Sequence, residues 1–151
     1  MNPLTQALGW IAFAAFCAAW FLPVIPDVSG WEAFRYALAP LVPFRDLKTV
    51  NAEDGAFQTL SALTNVVFVI LFVQGFLKRA IRPGLWVRIS IACLVLDLYW
   101  FVKAWREKGL ADLLYGYYVW LLAFTLLLAV SALIASSVRR TSRIPTAGTP
   151  S

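Results

Sequence analysis

Three windows of this chain, 58–77, 85–105 and 116–137, are each about twenty residues long and carry few charges or none. A hydrocarbon core about 30 Å thick takes roughly 20 helical residues to cross, so each window is long enough to span a bilayer. Composition agrees: 61% of the 151 residues are hydrophobic, 14% are charged, and mean hydropathy is +0.74, outside the balance of a soluble domain. The chain reads as an all-α membrane protein, and its partner is first of all the lipid bilayer.

A fourth window, 8–25, is slightly short but holds no charge. It lacks the basic n-region of a cleaved signal, because the first Lys or Arg in the chain is Arg35. A lipoprotein signal ending at Cys17 is disfavoured by the bulky Phe16 before it. The expectation is therefore a four-transmembrane-helix bundle over 1–138, with a disordered basic tail over 139–151. Between the first two spans, "SGWEAFRYAL" has Ser29 and Glu32 in the positions of a capping box. Trp31, Phe34 and Leu38 recur at helical spacing, which predicts a short amphipathic helix over about 29–39 lying on the membrane interface. The rest of the long loop, to about residue 57, reads as irregular.

What is missing narrows the chemistry. There is no histidine, the commonest metal and haem ligand and the usual general base. Two cysteines, Cys17 and Cys93, fall inside predicted spans and read as small buried side chains rather than a pair. Acids of the long loop, Asp27, Glu32, Asp46, Glu53 and Asp54, match no calcium-loop spacing. No metal, no cofactor and no catalytic set is expected, so the chain is read as non-enzymatic. A net charge of +5 is low for a nucleic-acid binder and fits basic residues flanking spans.

Those basic residues suggest an orientation. Lys78, Arg79, Arg82 and Arg88 lie around the turn after the second span, and Arg139, Arg140 and Arg143 follow the fourth. The opposite side holds Arg35, Arg45, Lys48, Lys103, Arg106 and Lys108, more dispersed. The positive-inside rule then puts both termini in the cytoplasm. Tyr117, Tyr118 and Trp120 form an outer aromatic belt, and with Trp31 and Phe34 they make a candidate contact surface.

One carboxylate, Asp97, sits within the apolar run "ACLVLDLYWFVKAW". Counting about 1.5 Å per residue from the span ends puts Asp97, Asn65, Thr125 and Cys17 in one layer, roughly 10–13 Å deep. Ser90 and Cys93 share the Asp97 face, Ser61 shares that of Asn65, and Ala129, Ala132 and Ser136 share that of Thr125. The layer is therefore expected inside the bundle, with Asn65 and Thr125 as partners of Asp97. Two roles compete for such an acid. It can be interhelical glue, or a proton or ion site, since placing it there costs about 2.5–3.5 kcal/mol. With no second buried charge, glue is the leading reading.

In "SGWEAF", "LSALTN" and "GYYVWLLAF" the chain resembles small bacterial inner-membrane proteins of about four spans, a group generally left uncharacterised. The resemblance implies a bacterial inner-membrane address and an outer face that matters. The leading function is an accessory subunit or scaffold acting by contact with a membrane protein partner or a second copy. The alternatives are a proton-linked or small-solute transporter using Asp97, and an immunity protein against a toxin.

Overall fold

The computed structural model describes residues 2–39, 41, 52–76, 82–107 and 113–141. Helix α1 (Pro3–Ala19) leads through two short antiparallel strands, β1 (Pro23–Ile25) and β2 (Val28–Ser29), into α2 (Gly30–Leu38). Three long helices follow: α3 (Ala52–Phe76), α4 (Pro83–Glu107) and α5 (Tyr115–Thr141). These three are long and apolar enough to cross a membrane, and the protein is an all-α, multi-pass membrane helical bundle.

The first helix departs from the expected 8–25. It starts early because Asn2 caps it, its side chain accepting from the Leu4 N–H at 3.1 Å, and Pro3 supplies a helical φ at the first position. It stops at Ala19, four residues before Pro23, which excludes helix from the residue preceding it. At 17 residues, or about 25 Å, it is shorter than a standard span. The residues freed at its end form the hairpin, whose turn places Asp27 at φ 59°, a left-handed conformation that Asp tolerates better than branched residues do.

Other boundaries shift less. α3 begins at Ala52, within the stretch expected to be irregular, and α5 runs through Arg139 and Arg140 to Thr141, where a tail was expected. The remainder of that tail, with Arg143, lies outside the described residues, as do Lys78 and Arg79. Arg82 is exposed just before α4.

α2 matches its sequence signal closely. Ser29 accepts from the Glu32 N–H, while the Glu32 carboxylate accepts from the Ser29 N–H and hydroxyl, both at 2.8 Å. These bonds favour the charged form, so Glu32 titrates below the usual carboxylate range. The sign follows: a depressed folded pKa means that the cap's contribution is present at neutral pH and lost as the pH falls through that lowered value. Ser29→Ala removes the reciprocal pair and is expected to cost α2 about 1 kcal/mol. Hydrogen exchange should report this as faster amide exchange at 31–33, with α5 unchanged.

α5 is the hub, packing along both α1 and α4. α1 runs antiparallel to it: Phe16 meets Phe124, and Gly9 lies beside Val130 and Ile134. Each helix turns a narrow stripe inward. On α1 the stripe is Thr5, Gly9, Ala12, Phe16 and Ala19; on α4 it is Trp86, Ser90, Cys93 and Asp97. Both repeat at intervals of three and four residues, the spacing of one helical face. Phe13 stacks on Phe72 and Phe16 on Phe68, ring centroids 4.4 and 4.2 Å apart, joining α1 to α3. The outward stripes, such as Val66, Val69, Ile70 and Val73 on α3, are apolar and suit lipid contact.

The hairpin and α2 close one end of the bundle. The Leu114 N–H donates to the Val24 carbonyl at 3.0 Å, and the Trp31 N–H to the Trp20 carbonyl at 2.9 Å. Thr59 of α3 donates to the Ala37 carbonyl at 3.1 Å, fixing the far end of α2. Trp20 packs against both Trp31 and Phe34, with centroids 5.5 and 4.9 Å away.

Candidate functional site

The inward stripes of α3, α4 and α5 converge on Asp97, which is 0% exposed. It lies nine residues inside Arg106, the end of its span, hence about 13 Å deep. Its Oδ1 accepts from Thr64 Oγ1 at 3.2 Å and from Ser61 Oγ at 3.4 Å, while the Tyr117 hydroxyl donates to its backbone carbonyl at 2.5 Å. Oδ2 is buried with no hydrogen-bond partner among the described residues. No group of three or more metal-ligating side chains occurs among them either.

Thr64 gives this acid two ways to be satisfied. Its hydroxyl also lies 2.6 Å from the Ser61 carbonyl, but it has one proton for two oxygens. Facing a charged Asp97, Thr64 donates to the carboxylate. If the carboxyl takes a proton, it can donate to the Thr64 oxygen, and Thr64 turns to the Ser61 carbonyl. Both protonation states therefore find partners without moving a helix.

The expected layer is only partly assembled. Asn65 is buried but serves α5, not Asp97: its Oδ1 accepts from Trp120 Nε1 at 3.0 Å, and its Nδ2 donates to the Ala62 carbonyl at 3.3 Å. Thr125 is exposed, and among the described residues it bonds within its own helix, to the Leu121 carbonyl at 2.9 Å. Its companions Ala129, Ala132 and Ser136 are exposed as well, because α5 turns the stripe Ala123, Phe124, Leu127, Val130 and Ser131 inward instead. Cys17 is exposed too, one residue off the α1 stripe. Rotation about the helix axis turns Thr125 outward, and Cys17 lies two residues from the end of α1 rather than eight from the end of a longer span.

Thr64, the nearest side-chain partner of Asp97, was missed, although "LSALTN" holds the signal. Ser61, Thr64 and Asn65 are spaced by three and four residues and so share one face. A second polar tie, Ser90 to Ser131 at 3.1 Å, joins α4 to α5 one turn further from the capped end than Cys93, with both hydroxyls almost fully buried.

Between the polar centre and the hairpin–α2 cap lies a cavity of about 770 Å³. Ser61, Asn65, Tyr117 and Trp120 line its inner part, so Asp97 sits directly behind its wall, one helical turn beyond Trp100. The residues expected to form an outer contact surface divide into two groups. Trp31 and Tyr118 are exposed, but Phe34, Tyr117 and Trp120 all line this cavity, and Tyr117 is buried. Compared with protein families, with functionally described proteins and with solved structures, the chain has no match.

Proposed function

We propose that this protein is a membrane-embedded solute carrier in which Asp97 couples a proton to a solute held in the cavity beside it. One observation carries the reading. A fully buried mid-span acid sits behind the wall of a cavity, with a hydroxyl partner that serves it in either protonation state. An ionisable side chain inside a bilayer is a functional candidate by default because its burial is costly. Small-molecule sites commonly enclose about 300–1,000 Å³, and this cavity falls within that range.

The finer topology belongs to the same reading. α1 tracks α5 in the opposite direction past Phe124 and Val130, so α1 acts as a fourth crossing despite its length. Four crossings would put both termini on one side, and Arg82, Arg88 and Arg139 near the helix ends on that side favour the cytoplasm by the positive-inside rule. The capped end then faces out.

The test is reconstitution into liposomes containing a pH-sensitive dye, with a panel of small organic anions, cations and neutral solutes added outside. Solute-dependent proton movement is expected, lost in Asp97→Asn and at least partly kept in Asp97→Glu. Flux that survives Asp97→Asn, or no coupled proton movement with any solute, would sink the reading.

A contact role, as accessory subunit or dimer, has one observation in its favour. The outward stripe of Thr125, Ala129, Ala132 and Ser136 is made of small residues, which let another helix approach closely. Cysteine crosslinking at Ala129 in native membranes distinguishes the cases: a discrete adduct supports contact, and none argues against it.

A further inference from the structure

Asp97 is fully buried behind the cavity wall, so a proton needs a way through that wall to reach it. We propose that Ser61 is the proton relay of this site, its hydroxyl passing protons between water in the cavity and the Asp97 carboxyl. This rests on the reading above that Asp97 exchanges protons.

Ser61 stands where such a relay must. It lines the cavity, and its Oγ donates to Asp97 Oδ1 at 3.4 Å. Among the described residues it is the one that both lines the cavity and hydrogen-bonds the Asp97 side chain. Thr64 is the nearer donor but lies off the wall. Tyr117 lines the cavity but gives its proton to the Asp97 backbone carbonyl, and Asn65 is committed to Trp120 and the Ala62 carbonyl. Cys93, one turn along α4, is buried and also lies off the wall.

A hydroxyl suits the task chemically. It has one proton to give and two lone pairs with which to accept. The Ser61 oxygen accepts no other bond among the described residues, so while it donates to Asp97 it is open to a water donating from the cavity. With a volume of about 770 Å³ and with Gln58, Ser61 and Asn65 in its wall, the cavity has the room and the polar partners that water needs.

The transfer balances without charging the serine. A hydronium in the cavity gives a proton to Ser61 Oγ as Ser61 passes its own to Asp97 Oδ1. One O–H bond breaks at the serine and another forms, the carboxylate becomes a carboxylic acid, and a neutral water stays in the cavity. Rotation about the Cβ–Oγ bond resets the hydroxyl, and the reverse sequence releases the proton. At 3.4 Å the contact is longer than the roughly 2.5–3.0 Å of most O–H···O bonds, so Ser61 draws about half an ångström closer as the proton passes.

The experiment follows Asp97 in the full chain in lipid nanodiscs. A light flash releases protons from a caged compound, and time-resolved infrared spectroscopy records the C=O stretch of the protonated carboxyl, identified by its loss in Asp97→Asn. Ser61→Thr and Ser61→Val share one shape and differ by a hydroxyl, so a purely structural role moves both alike. The band is expected to rise at least tenfold more slowly in Ser61→Val than in Ser61→Thr. Ser61→Ala against wild type gives the same comparison without a branched side chain. Ser90→Ala removes a buried hydroxyl elsewhere on α4 and should keep the wild-type rate. Equal rates in Ser61→Val and Ser61→Thr, or equal slowing in Ser90→Ala, would overturn the relay, and solute-coupled flux alongside that result would leave the transport reading standing. A Ser61-dependent rise without solute-coupled flux in liposomes would support the relay and remove transport. A wild-type carboxyl band that never responds to the flash would overturn both.

Discussion

Asp97→Leu is expected to destabilise the bundle by about 2 kcal/mol, whereas Asp97→Asn is expected to leave folding nearly intact. In the native protein one carboxyl oxygen accepts from both Ser61 and Thr64, joining α3 to α4. Leucine removes the acceptor and leaves buried donors facing hydrocarbon, each at a cost of about 1–3 kcal/mol unless it finds another partner. Thr64 has such a partner in the Ser61 carbonyl, which limits the loss. The leucine side chain is also bulkier at a site with no exposure, and overpacking adds to the destabilisation. Asparagine keeps an acceptor of the same shape. Thermal unfolding in detergent, followed by size-exclusion fluorescence, reads the difference. A leucine variant as stable as wild type would show that the contacts to Asp97 hold nothing together. The pair of variants also separates structure from transport, since Asp97→Asn should fold and yet fail to move protons.

Gly116→Ala is the second large effect, and it concerns the cap. A Cβ on Gly116 would stand 2.5 Å from the Pro23 carbonyl oxygen and 2.9 Å from that of Leu22. Both obstacles are backbone, so no rotamer change relieves them. The hairpin must lift from the start of α5, which strains the bond from the Leu114 N–H to the Val24 carbonyl. A cost of about 1–3 kcal/mol is expected, as for inserting a methyl into packed structure. Gly30 is placed in the same way against the backbone of Ala19 and Trp20. Because the hairpin and α2 wall the cavity, Gly116→Ala should also weaken solute binding there without touching Asp97. Gly84→Ala is the control, since a Cβ there meets nothing within 4 Å. If Gly116→Ala melts with the control, the hairpin does not depend on this close approach.

The sequence by itself determined the membrane address, the three long helices and the amphipathic α2 with its capping box. All follow from hydropathy and spacing along one segment, which need no knowledge of neighbours. It also placed Asp97 well inside the third long helix, since position along a helix is a count of residues of fixed rise. Only the tertiary structure decided rotation. Asn65, Thr125 and Asp97 each lie about nine or ten residues inside their helices' spans, yet Thr125 faces outward and Asn65 turns to Trp120. Polar and small residues mark two faces of α5, and the sequence does not say which one α1 and α4 cover. The hairpin was likewise settled by packing: Pro23 and Pro26 signal a break, but pairing needed α5 alongside to accept β1. The cavity belongs to the same class of fact, because its walls come from every element of the fold and none of them carries it alone.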